Sequence, residues 1–320
     1  MVKTVALTGG TGFIGSHVAR RLADAGWRLR LLVRRLPVHP LLADYPIEAV
    51  IGSLDDTRAL AELVRGADAL VHCAGAIKAL DRPSFERVNE AGTSAVAEAA
   101  MAEGVGRFVL ISSLAAREPQ LSPYGASKRA GEAAMEWIMA RNVATTHRSW
   151  VVLRPPVVYG PGDRESLTIF RGAALGIVPV LNRPDNRLSM IHVGDLARAV
   201  AAIVTTGERV NGVFEIDDGQ AGGYSWRQIV EAAGAACGRP PLLVPVPAMV
   251  LRGLAPAFQA VARLTGKATI LSPGKVREMC HPDWVCRPAT GLLAAGWRPA
   301  ISLEVGFAET VAWYRRAAWL

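Results

Sequence analysis

Long apolar runs are missing from this sequence, which has no stretch approaching the ~20 uncharged apolar residues that an α-helix needs to span a bilayer. Cysteine is scarce as well, because four cysteines in 320 residues do not make a disulfide framework. Low-complexity segments and runs of Lys and Arg are also absent, which argues against a disordered chain and against nucleic-acid binding. We therefore expect a soluble globular protein located in the cytoplasm.

Acidic residues are fewer than basic ones, and the formal net charge is +8 with a pI of about 9.7. Such a surface is either simply solvated or attracts an anion: a phosphorylated cofactor, an acidic substrate or a membrane surface. Cys280, His281 and Cys286 lie close together in the sequence. They lack the CxxC or HxxxH pairing that is typical of zinc sites, so we predict no metal.

Short apolar runs alternate with helical patterns through the first half of the chain. The runs predicted as strands are 2–8, 27–35, 47–53, 67–75, 106–113 and 149–156. The segments predicted as helices between them are 14–25, 55–64, 84–103 and 124–141. Strands joined by helical crossovers form a parallel sheet, and strands apolar on both faces are covered by helices on both sides. The predicted fold class is therefore α/β, with a doubly wound parallel sheet.

The pattern changes after Gly160, where proline and glycine become frequent. Helices are predicted at 195–205, 225–237 and 248–265, with Ser225 as the N-cap of the second, and a returning strand at 212–218. We expect a dinucleotide-binding domain over 1–160, to which 190–217 returns. A smaller substrate-binding lobe would then comprise 161–189 and 218–320.

The turn after the first strand is rich in glycine and reads TGGTGFIG. Its glycines satisfy both GxxGxxG and GxGxxG, between a strand and a helix, as the dinucleotide fingerprint requires. Glycine allows the tight turn and close approach to a pyrophosphate, which the helix N-terminus then attracts. The residues expected to contact the cofactor here are Gly9, Gly12, Phe13, Ile14 and Gly15.

The second strand ends in Arg34 and Arg35, where NAD enzymes carry an acidic residue for the ribose hydroxyls. Guanidinium groups bind a 2′-phosphate, which a carboxylate would repel. The sequence therefore predicts NADP(H) over NAD(H); the alternative is a pair of solvated arginines.

The segment SPYGASK places Tyr124 and Lys128 four residues apart, and hence on one face of a helix. A nearby ammonium lowers the pKa of a phenol, which can then exchange a proton as hydride moves to or from a nicotinamide. Ser112 and Ser113 end the fifth strand, and either hydroxyl could hold the substrate oxygen.

Together, TGGTGFIG, LISS, YGASK and LRPPVVYGPGD resemble the extended short-chain dehydrogenase/reductase superfamily, in its epimerase/dehydratase branch. The resemblance covers 2–163 most strongly and returns at 187–199. It implies that Tyr124 is the catalytic acid/base, that Lys128 lowers its pKa and binds the nicotinamide ribose, and that Ser113 orients the substrate. It also implies that Asn89, in RVNEAGT, supports the polar network of the active site.

Further contacts follow from the same resemblance. It implies cofactor contacts from Leu54, Ala74, Lys128, Pro155 and Val158, and substrate contacts from Ser113, Tyr124, Val157 and Arg187. The chain departs from the family at Gly52-Ser53-Leu54, where relatives carry G-D-L and the Asp contacts adenine. Asp55 is a candidate replacement for that contact.

Two features point to different substrates. Arg187 lies where relatives bind the diphosphate of a sugar nucleotide, although it could instead pair with Asp185. The segment from Arg154 to Tyr159 is apolar, as in the 3β-hydroxysteroid dehydrogenase and dihydroflavonol reductase subgroups. The predicted helix 248–265 could face the core, form a lid over an apolar substrate or lie on a membrane surface.

The predicted function is that of an NADPH-dependent oxidoreductase interconverting a ketone and a secondary alcohol on an apolar ring compound. The alternatives are a nucleotide-sugar epimerase or dehydratase with tightly bound cofactor, and a non-catalytic NADPH-binding subunit or sensor. By analogy with relatives we also expect a homodimer built on helices 84–103 and 124–141.

Overall fold

The structure is a computed structural model, which describes the chain apart from residues 1, 37, 142–147, 182–185, 270 and 288–295. Its strands are, in chain order, β1 Thr4–Thr8, β2 Arg28–Val33, β3 Ile47–Ile51, β4 Ala69–His72, β5 Arg107–Ile111, β6 Ser149–Arg154, β7 Val157–Tyr159, β8 Ile177–Leu181, β9 Arg187–Leu188, β10 Met190–His192, β11 Gly212–Glu215, β12 Tyr224–Ser225, β13 Leu242–Val246 and β14 Asp283–Trp284.

The α-helices are α1 Phe13–Asp24, α2 Thr57–Val64, α3 Arg82–Glu86, α4 Gly92–Ala102, α5 Pro123–Ala140, α6 Leu167–Leu175, α7 Val193–Thr205, α8 Trp226–Cys237, α9 Ala248–Thr265, α10 Pro273–Cys280 and α11 Leu303–Arg316. Ser225 caps α8 as predicted, within a capping box that Gln228 completes. Gly26, with φ of +84°, follows the end of α1, where a left-handed residue is favoured.

The principal sheet confirms the predicted fold class. Its strand order is β11-β6-β5-β4-β1-β2-β3, and each neighbouring pair is parallel. β1 and β4 are buried at every position, which explains why their sequences are apolar on both faces. One large apolar cluster joins α2, α4 and α5 to the sheet through Leu63, Val96 and Met135 around Phe108.

The predicted helix 84–103 is not one regular α-helix, and this prediction is corrected. α3 and α4 are separated by a π-helical turn over Arg87–Ala91. α5 packs directly against this turn, since a Cβ on Gly131 would overlap the carbonyl oxygen of Asn89. The Thr93 hydroxyl donates to the same carbonyl at 2.7 Å. The turn places the side chain of Asn89 at the end of β4.

The chain forms two compact units: the first from Met1–Arg154, Leu196–Glu215 and Ala289–Arg298, the second from Pro155–Asp195, Ile216–Pro288 and Pro299–Leu320. The boundaries expected at 160 and at 190–217 therefore shift. The reason is that β7 pairs with β10 in a small sheet of its own, so 155–160 and 190–195 join the second unit. That unit has its own core, which includes Tyr159, Phe170, Phe307 and Tyr314.

The interpretation that the predicted helix 248–265 faces the core, rather than forming a lid or lying on a membrane, is wrong. Its bounds match α9, but the buried residues of α9 are Ala255 and Ala262. Within the described parts of the chain, no helix combines the length and the apolar character needed to cross a membrane.

Candidate functional site

The glycine-rich turn between β1 and α1 is held by contacts that only glycine permits. Gly9 has φ of +71°, and a Cβ on it would lie 2.5 Å from the amide nitrogen of Ala74. A Cβ on Gly15 would overlap the carbonyl oxygen of Gly9. The turn is closed by the amide of Gly12, which donates to Gly9 at 2.9 Å. Gly9, Gly12 and Gly15 thus form a backbone cradle to which these three residues add no side-chain atoms.

The start of α1 suits an anion. Gly12 is its N-cap and supplies no capping side chain, and the first turn contains no acidic residue. The positive end of the helix dipole is therefore not neutralised by the helix itself. Phe13 and Ile14 are half-buried in this first turn. These features fit the pyrophosphate of a dinucleotide, which such a helix N-terminus attracts.

A buried hydrogen-bond chain connects this turn to Asn89. The Ala74 amide donates to the Thr8 hydroxyl at 3.3 Å, and Thr8 Oγ1 lies 2.5 Å from His72 Nδ1. His72 Nε2 lies 3.1 Å from Thr93 Oγ1, whose hydroxyl donates to the Asn89 carbonyl. Burial and the charge of Lys128 lower the pKa of His72 to about 3, so the ring is neutral. A ring protonated at Nε2 satisfies every member of this chain.

Asn89 ties the segment after β4 to α5. Its Oδ1 accepts from the amide of Ala76 at 2.8 Å, and its Nδ2 donates to the carbonyl of Ala76 at 3.0 Å and to the Ser127 hydroxyl at 2.9 Å. A Cβ on Gly75 would lie 3.2 Å from Asn89 Oδ1 and 3.4 Å from Lys128 Nζ. Gly75 therefore brings backbone close to both polar groups.

Tyr124 and Lys128 lie one turn apart near the start of α5. Ser122 caps this helix by accepting from the Gly125 amide at 2.9 Å, and Pro123 occupies the first position. Tyr124 is half-buried, with its ring 6.0 Å from that of Phe85.

The ammonium of Lys128 lies inside the protein. The side chain is buried, and Nζ donates to the carbonyl of Ile111 at 2.8 Å. Burial lowers the pKa of Lys128 to about 8, against an opposing contribution from Glu132. Lys128 is therefore cationic at neutral pH but holds its proton less firmly than an exposed lysine.

The two serines at the end of β5 have different partners. Ser112 is buried and donates to Glu132. Ser113 is half-buried and caps the short 3₁₀ turn Leu114–Arg117, its oxygen accepting from the Ala115 amide at 3.2 Å. A Cβ on Gly125 would lie 2.7 Å from the Ala115 carbonyl oxygen, so this turn packs directly on the first turn of α5. The hydroxyl of Ser113 thus belongs to the turn beside Tyr124.

Glu132 is a site residue that the sequence reasoning missed. Its carboxylate is fully buried and receives Arg154 Nε at 2.9 Å, a second nitrogen of the same guanidinium at 2.5 Å, and Arg129 at 3.2 Å. The available signal was its spacing, since Glu132 follows Lys128 by four residues on the same helical face. His72 and Thr93 were also missed, because their contacts link distant parts of the chain.

The other predicted site residues of the first unit lie at strand ends. Arg34 and Arg35 follow β2 and are both exposed. Leu54 follows β3 and packs against Gly92, where a Cβ would lie 2.8 Å from Leu54 Cδ1. Asp55 is exposed and donates its amide to the Ser53 hydroxyl at 3.3 Å.

The remaining predicted residues belong to the second unit. Pro155 is buried, Val158 half-buried and Val157 exposed at the start of that unit. Arg187, in β9, donates to the side-chain oxygen of Gln228 at 3.1 Å. Asp185, its alternative partner, lies outside the described residues.

The Cys280–Cys286 region shows no metal-binding arrangement. Across the residues with described positions, no group of three or more His, Cys, Asp and Glu side chains is placed to hold a metal ion. His281 instead packs its ring against Trp284, with 4.8 Å between the ring centroids.

Comparisons with known proteins agree with this geometry. A family model described as the NAD dependent epimerase/dehydratase family matches residues 5–216. The "Ceramide reductase" of Caulobacter vibrioides is 44% identical over 317 residues, which cover 99% of this chain and 96% of that protein. The "UDP-glucose 4-epimerase" of Vibrio cholerae is 25% identical over 336 residues, which cover 97% of this chain and 95% of that protein.

Among solved structures, that of MoeE5 in complex with UDP-glucuronic acid and NAD matches with a TM-score of 0.75 at 23% identity. The match covers 98% of this chain and 99% of that one. At this identity the likeness shows the fold.

Replacing Glu132 with Gln should lower the free energy of unfolding by about 3–5 kcal/mol, because Arg154 would keep a buried charge without its carboxylate. Urea denaturation of the wild type and the variant measures this difference. Glu98→Gln, at an exposed position of α4, is the matched control and should change stability by less than about 0.5 kcal/mol. Equal, small effects of the two substitutions would contradict the structural role given to Glu132.

The pKa of Lys128 also predicts how stability depends on pH. The folded protein releases this proton near pH 8, whereas the unfolded chain keeps it to about 10.5. Between these values the unfolded state binds more protons, so the stability of the wild type relative to Lys128→Met should rise with pH, by up to about 3 kcal/mol. Denaturant titrations from pH 7 to 10 test this, and parallel curves for the two proteins would refute it.

Proposed function

The chain belongs to the NAD-dependent epimerase/dehydratase family, and from that premise we propose that it is an NADP(H)-dependent reductase that interconverts a ketone and a secondary alcohol on an apolar lipid. Membership of this family confirms the resemblance carried by TGGTGFIG and YGASK. The relatives are named as reductases and epimerases, so the chain is an enzyme of the dehydrogenase, reductase or epimerase kind. The proposal rests on one observation: Tyr124 and the buried ammonium of Lys128 lie one turn apart on α5.

The cofactor, when bound, supplies the hydride that reaches the carbonyl carbon in reduction. Tyr124 gives its phenolic proton to the carbonyl oxygen as negative charge develops there, and the hydroxyl of Ser113 donates a hydrogen bond to the same oxygen. Lys128 stabilises the phenolate left on Tyr124, since a nearby cation favours the charged form. Oxidation of the alcohol runs through the same groups in reverse.

Arg34 and Arg35 support the choice of NADP(H). Both are exposed at the end of β2, whose neighbour in the sheet, β1, leads into the glycine-rich turn. Two cations at this strand end favour a 2′-phosphate, whereas a carboxylate would favour ribose hydroxyls.

The proposed substrate is an apolar lipid rather than the ring compound expected from the sequence. The relative at 44% identity over nearly the whole chain is named for ceramide, which is a lipid. The apolar residues Pro155, Val157 and Val158, after β6, support the same choice. The second candidate is a nucleotide-sugar epimerase, favoured by the full-length match to a UDP-glucose 4-epimerase and by the exposed position of Arg187.

The expected homodimer stays a prediction. Trp137 of α5, one of the two helices assigned to it, is 59% exposed and stacks with the guanidinium of Arg141.

Tyr124→Phe should lower kcat/KM for reduction of a keto-ceramide in detergent by about 10²–10⁴-fold, because the proton donor is lost. The dissociation constant for NADPH should stay within about threefold, and Tyr45→Phe, at a tyrosine bonded to Asp24, is the control. Unchanged turnover in Tyr124→Phe would remove its catalytic role. Conversion of UDP-glucose by the wild type without net consumption of NADPH would favour the epimerase instead.

Replacing Arg34 and Arg35 together with Ser should raise the dissociation constant for NADPH by about 10–100-fold, the loss expected for charge-assisted hydrogen bonds. The dissociation constant for NADH should change by less than about twofold, because NADH has no 2′-phosphate. Arg28→Ser, at the opposite, exposed end of β2, is the control. Equal weakening of NADPH and NADH binding in the variant, or similar affinities of the wild type for the two cofactors, would reject the NADP(H) preference.

A further inference from the structure

Helix α9 exposes most of its large apolar side chains, whereas its buried residues are small. Its buried residues are Ala255 and Ala262. The exposed fractions of six of its large apolar residues are 80% for Met249, 48% for Val250, 46% for Leu254, 47% for Phe258, 56% for Val261 and 87% for Leu264, and Leu251 is half-buried. A surface helix of a globular protein normally buries such residues and exposes polar ones. The reversed pattern indicates that a partner covers this helix.

Five of the exposed apolar residues of α9 lie on one face of the helix. The positions 250, 254, 258, 261 and 264 are separated by three or four residues, and we call this set the apolar stripe. β13, which precedes α9 in the chain, exposes apolar side chains as well, since Leu242 is 65% exposed and pairs with Ile177, which is 55% exposed. An exposed apolar face of this kind on a helix marks an interaction site.

The surrounding segment is basic without exception. Between Glu231 and Glu278 the sequence has no acidic residue, and its charged residues are Arg239, Arg252, Arg263, Lys267, Lys275 and Arg277. Lys275 pairs with Glu278 at 2.9 Å. Arg252 and Arg263 are exposed and, by helical spacing, lie on the other side of α9 from the stripe. The stripe is therefore uncharged, and its neighbourhood is cationic.

We propose that α9 docks on the surface of an anionic phospholipid bilayer, with the apolar stripe at the boundary between headgroups and acyl chains. An apolar face combined with basic residues is the pattern of interfacial helices, and an anionic leaflet attracts Lys and Arg side chains close to its surface. A second copy of this chain fits less well, because a symmetric interface would bring two identical cationic segments together. The proposal is independent of the proposed reaction.

Co-sedimentation of the full-length protein with vesicles tests the proposal. Vesicles of phosphatidylcholine and phosphatidylglycerol are compared with phosphatidylcholine alone, at low and high salt. The variant Phe258→Ser/Val261→Ser removes part of the stripe. The matched control is Ile51→Ser/Val305→Ser, since these residues are 57% and 61% exposed outside α9. NADPH binding and thermal unfolding are measured for each protein to verify folding.

The wild type should bind the anionic vesicles, more weakly at high salt and more weakly still without the anionic lipid. The stripe variant should lose about tenfold or more in partitioning, while the control variant stays within about twofold of the wild type. Failure of the wild type to bind either vesicle would overturn the proposal, as would equal binding by the stripe variant. A dimer seen by light scattering without lipid, and lost in the stripe variant, would assign the stripe to self-association and overturn it too.

Discussion

The buried ammonium of Lys128 is the charge around which the site of the first unit is arranged. A cation removed from water needs partners, and here it has the carbonyl of Ile111 and the field of Glu132 on the next turn. Burial and, after it, the charge of Lys128 lower the pKa of His72 and keep the ring neutral, which in turn fixes the hydrogen-bond directions from Ala74 to Asn89. The glycine-rich turn at Gly9 and α5, the helix that carries Tyr124, are therefore joined by one polar network through Asn89 and Ser127.

Glycine gives this network its close backbone contacts. Gly131 lets α5 approach the carbonyl of Asn89, and Gly125 lets the turn bearing Ser113 approach the turn bearing Tyr124. Gly75 leaves room beside Lys128 Nζ. At Gly131 and Gly125 a methyl group would push apart the elements that carry the candidate site residues, so these small residues serve geometry rather than flexibility.

The second unit combines a well-packed core with one helix, α9, that leaves apolar side chains exposed. α11 and α8 contribute Phe307 and Ile229 to a well-packed apolar core, with Tyr159 fully buried beside them. α9 contributes little to it, since alanines make its buried contacts. Four of the five side chains of the apolar stripe are about half exposed, so each forgoes roughly half of the ~1.5–3 kcal/mol that full burial would supply. An exposed face of this kind is explained by an interaction rather than by the fold.

Local patterns in the sequence were sufficient for the sheet, the glycine-rich turn and the Tyr124–Lys128 pair, because strand alternation, turn chemistry and helical spacing act over a few residues. The extent of α9 followed from the same periodicity, but its orientation did not, since periodicity marks an apolar face without saying what covers it. Tertiary structure decided the π-helical turn at Asn89, the pairing of β7 with β10, and the roles of Glu132, His72 and Thr93. Those features depend on contacts between residues far apart in the chain, as between Thr8 and His72 or Glu132 and Arg154, and no local spacing encodes them.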